Sequence, residues 1–291
     1  MGLVKVNTLA IWSILAMILC GLSCGESGNK AWEKEAPILL KKELELPVAG
    51  NYRPVLGEGA FFLLELRQVY GEAHLYANDS LFTLEPCAGL GEGYQLDGLM
   101  DAFIQAKKNE GGNADIVFAV EPDVSIGLVM TLVRYFRLRG IDQFYFQVKP
   151  SDGANVDLAL LQYTFPLYTE SQLHQLEADL KCDSSTGWDS TRLGEDQFFQ
   201  DLGNIPPEKR IWIQKEGKYP FQSDEFSLSG LGNQLRRQQE LSESPERYVF
   251  GLADELRYEN FIVVLDQMIL SGIADYTLLS KWEFEQLPQL E

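Results

Sequence analysis

The feature that most constrains the fold of this chain is an internal repeat. Residues 117–146 and residues 249–278 align without a gap, so that residue n of the first stretch matches residue n + 132 of the second. Several matched positions between residues 120 and 136 keep their apolar character, such as Val129/Phe261 and Phe136/Met268. The identical pairs are Val117/Val249, Phe118/Phe250, Leu138/Leu270, Gly140/Gly272 and Ile141/Ile273. A conserved period with few identities is typical of a diverged duplication, so we predict two copies of one supersecondary unit.

The repeated unit is predicted to be a strand, a helix and a second strand. In the first copy, Asp115–Val120 is almost wholly apolar, which predicts a strand that is covered on both faces. Ser125 stands where a helix N-cap is needed, and apolar residues at helical spacing follow it. Gly140 stands where a left-handed residue ends a helix, and Asp142–Val148 then has the pattern of a strand.

A hairpin and a helix are predicted to precede this unit in both halves. Phe61–Gln68 and Glu72–Tyr76 are two strand candidates on either side of a tight turn. Tyr94–Lys107 carries apolar residues along one helical face. The stretch 210–237 shows the same succession of strand, short turn, strand and helix. Each half of the chain is therefore predicted to be an α+β unit with one sheet and two helices.

The charge of the chain excludes one class of partner. The formal net charge is −19, with 43 acidic and 24 basic side chains. Nucleic-acid affinity depends on neutralising phosphates, so a chain this acidic is not expected to bind nucleic acid. The high net charge itself favours solubility.

The N-terminus has the pattern of an export signal. Lys5 precedes the apolar stretch Thr8–Leu19, whose length suits a signal peptide better than a membrane span. Cys24 follows a short run of small and apolar residues, as in bacterial lipoproteins, so we expect lipidation there. A plain cleaved signal and an uncleaved anchor stay open as alternatives. Cys87 and Cys182 either form a disulfide in the exported chain or are two free thiols.

These patterns divide the chain into five predicted segments. A 291-residue chain has room for about two domains, and the repeat defines where they lie. The segments are a lipoprotein-type signal peptide (1–24), a tether (25–59), a first domain (60–149), a connector (150–207) and a second domain (208–291).

No residue pattern in the chain predicts catalysis, a cofactor or a metal. His74 and His174 have no cysteine or carboxylate cluster at metal-ligand spacing, so we interpret both as structural or surface histidines. The glycine-rich stretch 89–93 lacks the spacing and the lysine of a phosphate-binding loop and is interpreted as a flexible turn. A motif for a nucleophilic serine is absent. We therefore expect a protein that is not an enzyme.

Acidic side chains lie at matching turns between strand and helix in the two repeats. Solvated turn residues are one interpretation of them, and a surface that binds a partner is the other. The candidate partner surface comprises Glu121, Asp123, Asp254 and Glu255.

The repeated unit resembles the periplasmic domain of the ExbD/TolR family of biopolymer-transport proteins. Val120–Gly127 follows the family pattern "aDkdvpyg", and Arg139–Ile141 closes the helix as the family's "eaGi" does. In the second copy, Ala253–Asp254 fits the "aD", Val264–Met268 fits "vmdal", and Ser271–Ile273 closes the helix. The resemblance implies two tandem domains of sheet-plus-two-helix type in a cell-envelope protein.

The resemblance also has a clear departure. Family members carry a membrane helix with an aspartate that takes part in proton-driven work, whereas the apolar stretch Thr8–Leu22 contains no acid. This chain is therefore not expected to be the proton-coupled subunit. In the family, such domains pair as dimers and contact energy-transducing proteins or peptidoglycan, so two copies in one chain are expected to pair within one molecule.

The sequence as a whole predicts a non-catalytic envelope protein, held at the membrane by a lipid on Cys24. Its expected partners are envelope proteins, such as a proton-channel and energy-transducing complex, or peptidoglycan. A ligand-binding periplasmic lipoprotein is the first alternative, and a deep apolar pocket between the domains would favour it. A secreted hydrolase is the second, and it requires a convergent pair of acids with a raised pKa.

Overall fold

The described chain contains both strands and helices, and the fold is of the mixed α and β class that the sequence predicts. The computed structural model describes residues 44–55, 61–82, 84–86, 94–96, 98–109, 114–154, 156, 158–168, 197–221, 224–241 and 246–288. The helices are α1 (Leu99–Asn109), α2 (Ile126–Arg137), α3 (Gln197–Gly203), α4 (Leu231–Leu241), α5 (Tyr258–Ser271) and α6 (Lys281–Glu285). Short 3-10 turns lie at Pro207–Lys209 and Leu228–Gly230.

The strands form two main sheets and two short hairpins. In chain order they are β1 (Val48–Ala49), β2 (Arg53–Val55), β3 (Phe61–Val69), β4 (Glu72–Ala77), β5 (Ser80–Phe82), β6 (Glu85–Pro86), β7 (Tyr94–Gln95), β8 (Asp115–Val120), β9 (Gln143–Pro150), β10 (Leu158–Thr164), β11 (Arg210–Ile213), β12 (Lys218–Phe221), β13 (Asp224–Ser227), β14 (Tyr248–Leu252) and β15 (Tyr276–Ser280). The larger sheet has the order β2-β10-β9-β8-β3-β4-β5, with β1 also pairing with β9. The smaller sheet has the order β11-β14-β15.

The central strand of each sheet is apolar on both faces. In β8 every residue after Asp115 is buried, and all residues of β14 are buried. Each of these strands pairs in parallel with a strand on either side, β3 and β9 in one sheet and β11 and β15 in the other. Parallel strands need helical crossovers on the faces of the sheet, which explains why their side chains avoid water on both sides.

The two halves share one register at an offset of 132 residues. Ile116 pairs with Phe144 between β8 and β9, and the residues 132 positions later, Tyr248 and Tyr276, pair between β14 and β15. Helices α2 and α5 begin at positions that differ by the same offset. Each helix is followed by a glycine with positive φ, +79° at position 140 and +73° at position 272. Residues with a side chain rarely adopt such φ values.

Local predictions for the first half agree with the observed elements. The hairpin of β3 and β4, the strand β8 and the strand β9 lie where the sequence predicts them. Ser125 is the N-cap of α2, because its hydroxyl accepts a hydrogen bond from the amide of Gly127. The helix predicted over Tyr94–Lys107 begins only at Leu99 and is α1, because Tyr94–Gln95 pairs with β6 as a short strand.

One hydrophobic core joins the two halves. Residues from both sheets belong to a single cluster of buried apolar side chains. The rings of Phe146 and Phe261 are 5.1 Å apart, and those of Tyr163 and Tyr276 are 5.4 Å apart. The Tyr163 hydroxyl accepts a hydrogen bond at 2.9 Å from the backbone amide of Leu278. The predicted domain ranges 60–149 and 208–291 therefore lie within one compact unit, Leu44–Glu291.

Two predicted boundaries need correction. The sequence predicts a tether that extends to residue 59, but β1 and β2 pair with β9 and β10 of the larger sheet, and Ala49 is buried. The connector 150–207 contains β10, which pairs with β9, and α3, whose Phe199 and Leu202 are buried. Both segments contribute side chains to the buried apolar clusters, so they belong to the folded unit.

Several predicted features lie outside the described residues. They are the signal peptide 1–24 with Cys24, the glycine-rich stretch 89–93, Cys87, His174 and Cys182. Within the residues that the structure describes, no helix has the length and apolar character needed to cross a membrane.

Candidate functional site

The loops that follow β8 and β14 pair with each other across the two halves. The amide of Ile126 donates to the carbonyl of Leu256, and the amide of Tyr258 donates to the carbonyl of Val124, both at 2.8 Å. Tyr258 is the repeat equivalent of Ile126, and Leu256 is the repeat equivalent of Val124, so the two hydrogen bonds are equivalent under the repeat. The pairing is thus symmetric about a local two-fold axis.

A second pair of hydrogen bonds obeys the same symmetry. The amide of Gly127 donates to the carbonyl of Asp254 at 2.9 Å, and the amide of Glu259 donates to the carbonyl of Pro122 at 3.1 Å. Ser125 lies between these bonds, opposite its repeat equivalent Arg257, in an antiparallel bridge. The axis therefore passes between residues 125 and 257.

Glycine at position 127 permits the close approach of the two loops. A Cβ at this position would lie 2.9 Å from the Asp254 Cβ, closer than real Cβ atoms approach, and 3.1 Å from the Asp254 carbonyl oxygen, which is tighter than most real contacts. The hydroxyl of Ser125 also donates to that carbonyl. The same loop residues thus cap helix α2 and join the halves.

The structure places the predicted acidic residues around this axis. Asp123 forms an ion pair with Arg257 across the axis, and Glu121 accepts a hydrogen bond from the amide of Gln68 at 2.7 Å. The backbone of Asp254 accepts the bonds described above, while Glu255 is exposed. Three of the four predicted residues thus make contacts within the chain. Their role as a partner surface stays a prediction.

A cleft of about 390 Å³ lies beside the axis. Helix α2 and its preceding loop form one wall, and the β3–β4 hairpin and the start of α6 contribute the others. Among its lining residues are Gln68, Thr131, Arg134, Asp254, Ser280 and Trp282. Its volume is in the range of small-ligand sites, and polar groups converge on partly apolar walls.

Arg134 is the principal cation of this cleft. Its guanidinium carbon lies 5.8 Å from the centre of the Trp282 ring, within range of a cation–π contact. The side chain is half-buried, and it has no ion pair or hydrogen bond among the described residues. A partly desolvated guanidinium without an acceptor is suited to binding an anionic group.

A buried ion pair lies behind the cleft, where the two halves meet again. The Nη1 of Arg137, at the end of α2, is 2.7 Å from the Oε1 of Glu283 in α6, and both side chains are at most 2% exposed. The hydroxyl of Tyr168 lies 3.0 Å from each of these two atoms. The Arg137 guanidinium also donates to the carbonyl of Pro166 at 2.6 and 2.8 Å.

The environment of Glu283 keeps it ionised. Burial alone would raise the pKa of its carboxyl, but the Arg137 charge and the hydrogen bonds from Ser280 outweigh burial and hold the pKa below its ordinary value. Burial raises the pKa of the Tyr168 hydroxyl, which therefore stays protonated. An ionised glutamate paired in this way is not suited to general acid catalysis, because it does not hold a proton near neutral pH.

Sequence reasoning missed Arg134, Trp282 and the Arg137–Glu283 pair. A signal for Arg134 was present, because it lies in the last turn of a largely apolar helix, where a cation needs an anion, a ligand or a route to water. Glu283 gave no signal, since its partner is 146 residues away. His74 lies on β4, and the described residues contain no group of three or more potential metal ligands.

Comparisons with protein-family models, with curated proteins and with solved structures find no match to this chain.

Proposed function

We propose that this chain is a non-catalytic cell-envelope protein whose two ExbD/TolR-like halves form a scaffold that binds a partner. The lipid on Cys24 would hold it at the membrane, and the partner would be a protein of a transport or energy-transduction complex, or peptidoglycan. The observation that carries this proposal is the symmetric pairing of the loops around Ser125 and Arg257. These loops contain the residues on which the family resemblance depends, and they unite two copies in one chain.

The contacts of the charged residues are consistent with a binding role. The buried pair of Arg137 and Glu283 joins the halves, and Asp123 pairs with Arg257 across the axis. Neither arrangement leaves two carboxylates facing each other across the cleft, as glycoside hydrolysis requires. A hydrolase therefore gains no support from the described residues.

Capture from the native envelope tests this proposal. The full chain with a C-terminal tag is cross-linked in cells, extracted in mild detergent and purified, and isolated cell-wall sacculi are sedimented with the purified protein in parallel. We expect a membrane transport subunit in the cross-linked fraction, or co-sedimentation with sacculi. A Cys24→Ala variant controls for nonspecific trapping in membranes. Recovery of neither partner would contradict the proposal.

A ligand-binding lipoprotein is the second candidate, and the cleft of about 390 Å³ is the observation that favours it. A thermal-shift screen of purified protein against a library of small metabolites separates the two candidates. A saturable rise in the unfolding temperature that is lost in Arg134→Gln would favour the lipoprotein. An unfolding temperature that no metabolite raises, together with recovery of an envelope partner, would favour the scaffold.

A further inference from the structure

The position of Arg134 in the first half is occupied by Asp266 in the second, at the same offset of 132 residues. The Oδ1 of Asp266 accepts hydrogen bonds from the amides of Gly50 and Asn51, at 3.1 and 2.7 Å. It also accepts one from the Asn51 side-chain amide at 3.1 Å. A segment of the chain itself is therefore held against this face of α5 by a carboxylate that binds backbone donors.

The segment around β1 also pairs with strand β9 on the side away from α5. Val48 and Ala49 of β1 pair in parallel with Lys149 and Pro150 at the end of β9. Strand β1 and the bend that follows it thus lie between helix α5 of the second half and the end of β9 in the first half. The corresponding place in the first half, beside α2, is the cleft that Arg134 and Trp282 line.

The two places differ in ways that define what the cleft can bind. The repeat equivalents of Lys149 and Pro150 are Lys281 and Trp282, which lie in helix α6, so no strand edge is available for pairing. The ligand must therefore be held by side chains. A guanidinium replaces a carboxylate, and since it carries only donors, it requires an acceptor where Asp266 requires a donor.

We propose that this cleft binds an extended segment of a partner protein through one carboxylate, with Arg134 as the anchor. The inference rests on the proposed function and names the chemistry of its partner. A polypeptide is favoured because one occupies the equivalent place on α5. A single carboxylate is favoured over an acidic run, because Asp254 lines the same cleft and the chain carries a net charge of −19. The Trp282 ring offers an apolar face beside the anchor.

Three pools of nine-residue peptides test the inference directly. All are acetylated and amidated and differ only in the central residue, which is glutamate, glutamine or lysine, with uncharged residues elsewhere. Binding of each fluorescent pool to the purified protein is measured by anisotropy at fixed ionic strength. We expect the glutamate pool to bind at least about tenfold more tightly than the glutamine pool, as a charge-assisted hydrogen bond predicts.

Variants at one position decide whether Arg134 is the anchor. Arg134→Gln is expected to abolish the preference for glutamate, and Arg134→Glu is expected to reverse it in favour of lysine. Arg139→Gln is the matched control, since this exposed arginine belongs to the same stretch and does not line the cleft. Unchanged circular dichroism and unfolding temperature show that each variant is folded.

Three results would overturn the inference: no pool binds, the glutamine pool binds as well as the glutamate pool, or Arg134→Gln retains the preference. Envelope capture separates this failure from failure of the proposed function. A partner recovered equally by the natural chain and by Arg134→Gln leaves the proposed function standing and refutes the site. Selective binding of the glutamate pool without any envelope partner or sacculus binding would leave the site standing and refute the proposed function.

Discussion

The buried pair of Arg137 and Glu283 gives the sharpest test of how the halves are joined. Replacing Glu283 by glutamine keeps the shape of the side chain and removes its charge, which leaves a buried guanidinium without a counter-ion. Replacing Arg137 by methionine leaves a buried carboxylate instead. Loss of one partner from a buried ion pair costs about 3–5 kcal/mol, because the remaining charge has lost its hydration and gains nothing in return.

The double variant Arg137→Met/Glu283→Gln removes both charges. Independent effects would add to about 6–10 kcal/mol, the sum of the two single costs. We expect the double variant to cost no more than either single one, because the remaining penalty is chiefly the unpaired carbonyl of Pro166, worth about 1–3 kcal/mol. Urea titrations give the free energies of unfolding of the natural chain, the two single variants and the double variant, which together form a double-mutant cycle. Additive effects, or single costs below about 1 kcal/mol, would refute the reasoning.

The same pair predicts a pH dependence with a definite sign. The pKa of Glu283 is lower in the folded chain than in the unfolded chain, so its ionisation stabilises the fold above its ordinary pKa of about 4.3. That contribution is lost as the pH falls through the lowered folded value. The difference in stability between the natural chain and Glu283→Gln is therefore expected to be constant above about pH 5 and to shrink below it. A stability difference between the two proteins that grows as the pH falls would contradict a lowered pKa for Glu283 in the folded chain.

Three further changes have expected outcomes. Asp266→Asn weakens the bonds that hold the segment around β1, and we expect a loss of about 1–2 kcal/mol in urea unfolding, whereas unchanged stability would argue against that contact. Gly127→Ala should lower the free energy of unfolding by about 1–3 kcal/mol in the same assay, because the new methyl group meets Asp254. An increase of about 1 kcal/mol, which helix propensity alone predicts, would show that the loops separate easily. Cys24→Ala should abolish labelling with radioactive palmitate in cells, with Cys20→Ala as the control that retains it, and labelling that persists in Cys24→Ala would exclude this lipid site.

Local structure could be predicted well from the sequence because its causes are local. Ser125 and Gly140 have the residue types that a helix start and a left-handed helix end require, and both perform those roles. The strand at Asp115–Val120 follows from its unbroken apolar run. The offset of 132 residues also holds for the strand register and the helix starts of the two halves, since an aligned duplication keeps its register.

Contacts between distant residues could not be predicted in the same way. Asp266 binds Asn51 across 215 residues, and Arg137 binds Glu283 across 146. Asp266, Arg137 and Glu283 are ordinary residues for their helices, and only the folding of distant segments against one another brings each together with its partner. The polar, loop-like composition of residues 25–59 predicts a tether, whereas Ala49 within this range is buried and its strand pairs with the larger sheet.

Cross-linking of the two paired loops tests the central claim that the repeats pair within one chain. Ser125 and Arg257 face each other in an antiparallel bridge flanked by hydrogen bonds between neighbouring residues, a geometry with Cα atoms about 4.5 Å apart that accommodates a disulfide. Both positions are changed to cysteine in a chain whose Cys87 and Cys182 are replaced by serine. The control places its two cysteines at the exposed positions 123 and 255, which do not face each other.

The measurement is mass spectrometry of the oxidised, unreduced protein after size-exclusion chromatography. The account predicts that Ser125→Cys/Arg257→Cys yields a monomer with an internal disulfide between the two positions, and that the control stays reduced. Free thiols at both positions, or a disulfide found only between two molecules, would contradict the pairing of the two halves within one chain.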